Sequence, residues 1–128
     1  KLLNGEEMIL TTRPLSAAER DLARWMIEHG RPSARRFLTQ LDKAEATTWR
    51  CECGCASFNF QIEGRAPAPP GVGVLGDFFF GPGDASCGAI IFESGGILSG
   101  VEFSGIAGNA PTHLPAPDEL RSFGPNQA

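Results

Sequence analysis

A chain of 128 residues that is 41% hydrophobic can bury roughly two thirds of its unfolded surface in a single domain without disulfide or metal staples. Its net charge of −4 argues against nucleic-acid binding, where affinity rests on neutralising phosphates, and no apolar run approaches the roughly 20 residues that span a bilayer. The charge is uneven, with nine Lys/Arg against seven Asp/Glu in residues 1–50 and two against eight in residues 51–128, so the second half suits a basic partner that it could steer.

The whole of residues 1–128 reads as one domain. Residues 1–7 read as an upstream remnant before Met8, and residues 108–128 as a loop-rich tail. The amino end has neither the apolar region nor the small-residue cleavage site of a secretory signal. With four Cys, that favours reduced thiols and a cytoplasmic location.

In chain order, Ser16-Ala17-Ala18-Glu19 is a capping box that should open a helix. Ala18, Leu22, Trp25, Met26 and His29 then share one face, and Gly30 is placed as a left-handed cap. Pro32 and Ser33 begin a second helix whose stripe is Phe37, Leu38 and Leu41. After Ala44 the period changes to two. Gly54-Cys55 reads as a hairpin turn in a register that pairs Thr47 with Ile62, Trp49 with Phe60, Cys51 with Phe58 and Cys53 with Ala56. The prolines of Arg65 to Gly73 make a surface loop, and Val74 to Phe80 is a strand. Cys87 to Glu93 and Ile97 to Ser104 form a second hairpin about Gly95-Gly96, with Ile90 facing Val101 and Phe92 facing Ser99; a three-residue turn including Ser94 would also close it. Pro117 to Leu120 resembles a short helical start. The expected fold is α+β, with two N-terminal helices packed on one face of a mainly antiparallel sheet of about five strands.

Two helices cover one sheet face only, so the other is solvated, dimeric or used for recognition. The expected register puts Ile91 and Leu98 there beside Glu93 and Glu102, an apolar centre with an acidic rim that suits a protein partner. A face closed by Leu114 and Leu120 explains the pattern equally well.

Cys51, Cys53 and Cys55, with Cys87 and His113 or His29, contain enough soft ligands for zinc. On a strand, however, alternate residues lie about 6.5 Å apart, which favours reading the cysteines as small buried hydrophobes plus one turn thiol. A Cys–His nucleophile would need His29 or His113 beside Cys55, and no spacing supplies that. Gly71-x-Gly73-x-x-Gly76 spells a dinucleotide fingerprint but leads into a strand rather than a helix. Arg20, Arg24, Arg31, Arg35 and Arg36, interspersed with Glu19, Asp21 and Glu28, read as a solvated, ion-paired face.

The series Ser16-x-x-Glu19-x-x-Leu22-x-x-Trp25 with Gly30, followed by Cys51-x-Cys53-Gly54-Cys55, resembles a group of small bacterial proteins of unassigned activity. More loosely, a small acidic helix-plus-sheet protein without catalytic motifs is similar to the immunity proteins of bacterial toxin systems, including contact-dependent growth inhibition. That resemblance implies a non-catalytic, cytosolic protein that binds and inhibits a basic toxin domain such as a nuclease, without a cofactor. The alternative is a zinc-binding or cysteine-dependent module built on Cys51, Cys53 and Cys55, and a homodimer is a further option.

Overall fold

The computed structural model describes residues 11–122. The expected remnant at residues 1–7 and the last six residues of the tail lie outside them. The elements run β1 (Thr12–Pro14), α1 (Ala17–Glu28), a 3₁₀ stretch (Pro32–Phe37), α2 (Leu38–Leu41), β2 (Ala44–Thr47), β3 (Phe58–Ile62), β4 (Gly73–Phe80), β5 (Cys87–Ser94), β6 (Ile97–Gly105) and β7 (Arg121–Ser122). The fold is α+β with an antiparallel sheet, but among the described residues the sheet has seven strands in the order β1-β2-β3-β6-β5-β4-β7. One strand also precedes the first helix, so the helices are not N-terminal to the whole sheet. The expected second helix is mostly 3₁₀, with a single α-turn at its end. No helix among the described residues is long and apolar enough to cross a membrane.

The capping box forms as the sequence dictates: Ser16 Oγ accepts from the Glu19 N–H at 3.0 Å and Glu19 Oε1 accepts from the Ser16 N–H at 2.9 Å. Glu19 does more than cap. Its two oxygens accept from Arg13 Nη1 and Nη2 at 2.8 and 2.7 Å, clamping β1 to the start of α1. Burial to 8% exposure pushes the carboxyl pKa up, but the hydrogen bonds from Arg13 and Ser16 outweigh it and hold the group below its ordinary value. A depressed folded-state pKa contributes stability that is present above the unfolded value and is lost as pH falls through the folded one. Glu19→Gln is therefore expected to cost about 1–3 kcal/mol at neutral pH and progressively less below the ordinary carboxylate range. Urea denaturation across that range checks it; parallel pH profiles for the two proteins would show that the clamp contributes nothing.

The buried face of α1 is Glu19, Leu22, Ala23, Met26 and Ile27, rotated from the expected stripe so that Ala18 is exposed and Trp25 half-buried. His29 caps the helix and stacks on Trp25 with ring centroids 4.0 Å apart. Gly30 is not a left-handed cap, since it is absent from the glycines with positive φ. A Cβ there would collide with the Leu75 carbonyl oxygen and lie 2.9 Å from that of Met26. Lacking one, the chain comes close enough for the Arg31 N–H to donate to Leu75 O at 2.8 Å, which docks the end of α1 on β4.

Both expected hairpins change register. β2 and β3 pair as Ala44↔Ile62, Glu45↔Gln61 and Ala46↔Phe60, which turns Ala44 and Ala46 inward with Phe58, Phe60 and Ile62 and leaves Trp49 48% exposed. The strand stops at Thr47, so Cys51 and Cys53 never enter the ladder. The second turn does form on Gly95-Gly96, whose φ values of 61° and 81° suit a residue without a Cβ. Ser94 pairs with Ile97 and Glu93 with Leu98, but Phe92 pairs with Gly100. Ser99 is thus an extra residue, a β-bulge, that shifts every later pair by one. Ile91 then faces Val101 and Ala89 faces Phe103.

The consequence for the expected partner surface is direct. Ile91 and Leu98 are both 0% exposed and belong to the core, while Glu102 is exposed and Glu93 Oε1 accepts from the Gly96 N–H at 2.9 Å in the turn. The bulge lets Leu98 on one side of it and Val101 on the other point into the same core, which strict alternation forbids. That core is one cluster joining α1, the 3₁₀ stretch, α2 and the strands. Leu120 is buried in it, with Leu114 packed against it, and the tail closes by pairing β7 with β4.

Candidate metal centre

The ten residues 48–57 that connect β2 to β3 form a loop fixed at several points by backbone hydrogen bonds. At its start the Thr48 N–H donates to Thr11 O at 3.1 Å, and at its far limb the Ala56 N–H donates to Pro111 O at 2.9 Å. Between them the Gly54 N–H donates to Cys51 O at 3.0 Å, closing a tight turn with Glu52 and Cys53 at its corners. Ser57 Oγ accepts from the Phe103 N–H at 2.9 Å and from the Cys55 thiol at 3.1 Å, which ties the loop to β6.

This turn does what an extended strand cannot. The three sulfurs of Cys51, Cys53 and Cys55 lie within 4.8 Å of one another, with Cys51 Sγ 2.8 Å from Cys53 Sγ and the Cys55 N–H donating to Cys53 Sγ at 3.3 Å. Cys51 and Cys53 are not the small buried groups expected, since Cys53 is exposed and Cys51, like Cys55, is half-buried; Cys87 alone of the four is buried. Hydrogen bonding with Cys51 and then Cys55 pushes the Cys53 thiol up to about 11. Desolvation raises Cys55, but hydrogen bonds from Ser57 and the neighbouring thiols outweigh it and bring that thiol down to about 7. In a trigonal or tetrahedral site with metal–sulfur bonds of about 2.3 Å the sulfurs stand roughly 3.8–4.0 Å apart. The closest pair must open by about 1 Å to reach that spacing, a side-chain rotation by thiols that lie outside the buried core.

The other expected ligands do not join. Cys87 is buried, with its thiol directed at Ala85 O and Asn109 O at 3.6 and 3.8 Å. His113 Nδ1 lies 3.0 Å from Thr112 Oγ1, and His29 Nδ1 2.9 Å from Trp25 O. Among the described residues the group stops at three sulfurs. The arginines of the helical layer are mostly engaged with carbonyl oxygens rather than carboxylates: Arg20 binds Leu41 O, Arg31 binds Val74 O and Arg35 binds Glu28 O, while Arg24 pairs with Asp42 at 3.3 Å. Gly73 and Gly76 lie within β4, so the glycine motif opens no helix.

Beside the loop a cleft of about 490 Å³ is lined by Trp49, Asn59, Pro67, Pro69, Pro70 and Phe92, among others. It had no sequence signal beyond its prolines. No protein-family model, no curated protein and no solved structure matches the chain.

Proposed function

We propose that this chain is a soft-metal-binding domain whose site is the trithiolate of Cys51, Cys53 and Cys55. The reading is supported by one observation, the convergence of three sulfurs within 4.8 Å. Thiolates are ligands for zinc and copper(I), and each gives up a proton on binding, so affinity rises with pH until the thiols are ionised. Because these side chains lie outside the core, the metal is an addition to a domain that folds without it. Reduced protein should take up one zinc(II) or copper(I) per chain. The double variant Cys51→Ser, Cys53→Ser should take up none while unfolding at the midpoint of metal-free parent. Elemental analysis after desalting, with a thermal scan of each form, decides it. Failure of the reduced parent to retain either ion would overturn the reading.

A second reading keeps the expectation of a non-catalytic protein binder of the immunity type, acting on a basic toxin domain. A different observation favours it: Trp49, 48% exposed, stands at the cleft with Pro67, Pro69, Pro70 and Phe92. Trp is the residue type most enriched where binding energy concentrates. Ile91 and Leu98 can take no part while they remain in the core. Trp49→Ala should weaken binding to such a domain with little change in thermal midpoint, and unchanged affinity would set this reading aside.

A further inference from the structure

Resting on the metal reading and deepening it, we infer that the trithiolate is an exchange site for a d¹⁰ ion of the copper(I) class. Three sulfurs hold the ion in a trigonal arrangement, and the open side admits an incoming thiolate from a donor or acceptor.

Donor number is the first ground. Structural zinc sites are closed by four protein ligands, and here the described residues offer three, all sulfur. Two further soft-ligand candidates are engaged elsewhere, Cys87 with Ala85 O and Asn109 O and His113 with Thr112. An all-thiolate set selects soft ions, and copper(I) is coordinatively complete with three sulfurs where zinc(II) is not. Access is the second ground. Cys53 is exposed at the corner of the turn, so a ligand can reach the ion before any protein sulfur has left. Position is the third. None of the three sulfurs belongs to the buried cluster, and the loop is held by Thr11, Pro111 and Ser57 through bonds that need no ion. Losing the metal therefore leaves the fold in place, as a carrier requires and a structural site forbids.

The exchange step balances without redox chemistry. The incoming thiolate forms a sulfur–copper bond, the bond to Cys53 breaks, and the departing Cys53 thiolate takes a proton from solvent. Copper remains monovalent throughout.

The test uses the full chain, reduced and loaded anaerobically with one equivalent of copper(I), then mixed with increasing bicinchoninate while the coloured complex is followed. The expected result is a removal rate that rises in proportion to bicinchoninate concentration, with X-ray absorption of the loaded protein reporting three sulfur neighbours. A removal rate that does not change with bicinchoninate would mean that the ion leaves only after the site opens, and would overturn the exchange proposal. So would a fourth protein donor in the absorption spectrum, or zinc(II) bound in preference to copper(I); either leaves the metal reading standing. Retention of neither ion overturns both.

Discussion

Replacing Phe78 by Ala is expected to destabilise the domain by about 3–5 kcal/mol, the range for a fully buried aromatic truncated in a core that cannot collapse onto the gap. Phe78 is 0% exposed. It sits on β4 with Ala89 opposite on one side and Ser122 on the other, and its ring lies 5.2 Å from that of Trp25 on α1. It thus joins the helix to the sheet near the edge where β7 closes the fold, and Ala89 opposite it is too small to fill the space. Chemical denaturation measures the loss. A change below about 1 kcal/mol with an unaltered dependence on denaturant would place the residue outside the cooperative core.

Gly30→Ala is the second large effect, expected to cost about 1–3 kcal/mol through overpacking. The added methyl would meet the carbonyl oxygens of Leu75 and Met26, both backbone atoms that no side-chain rotation can move. Relief must come from displacing α1 from β4, which also loosens the bond from the Arg31 N–H to Leu75 O. Gly83→Ala is the control, because nothing lies within 4 Å of a Cβ there. Comparable losses from the two substitutions would show that the close approach at Gly30 is not what its missing side chain serves.

Much of the architecture could be read from local chemistry. Ser16 and Glu19 announce the start of α1 because a capping box is a contact between neighbours in sequence, and the Gly95-Gly96 turn is visible because its backbone demands residues without a Cβ. What could not be read depends on counting across a gap. Ser99 gives no sign that it will bulge, yet this one residue moves Ile91 and Val101 from opposite sides to one side. Likewise, Trp49 and the cysteines continue an alternation that the chain abandons at Thr47. A signal was present there: three Cys in five residues with a Gly, and no β-branched residue from Trp49 to Phe58, is a poor strand composition. The small residues Ala44 and Ala46 held the inward positions instead, and the objection to a shared ion, sound for a strand, does not apply to a turn. The short strands β1 and β7 were invisible because two or three residues carry no period.

Among the described residues those two shortest strands are also the outermost ones, three residues at one margin and two at the other. Between them lie the eight- and nine-residue strands β4, β5 and β6, rich in Phe, Ile and Val, and without β7 the backbone of β4 would be an edge able to template the addition of a further chain. Pro14 at one margin has no N–H to offer. At the other, Arg121 covers part of β4 with its guanidinium carbon 5.3 Å from the Phe79 ring centre. Short margins, a proline and a covering arginine are the features that disfavour stacking of one molecule on the next, so the tail that brings Leu120 to the core also caps an edge.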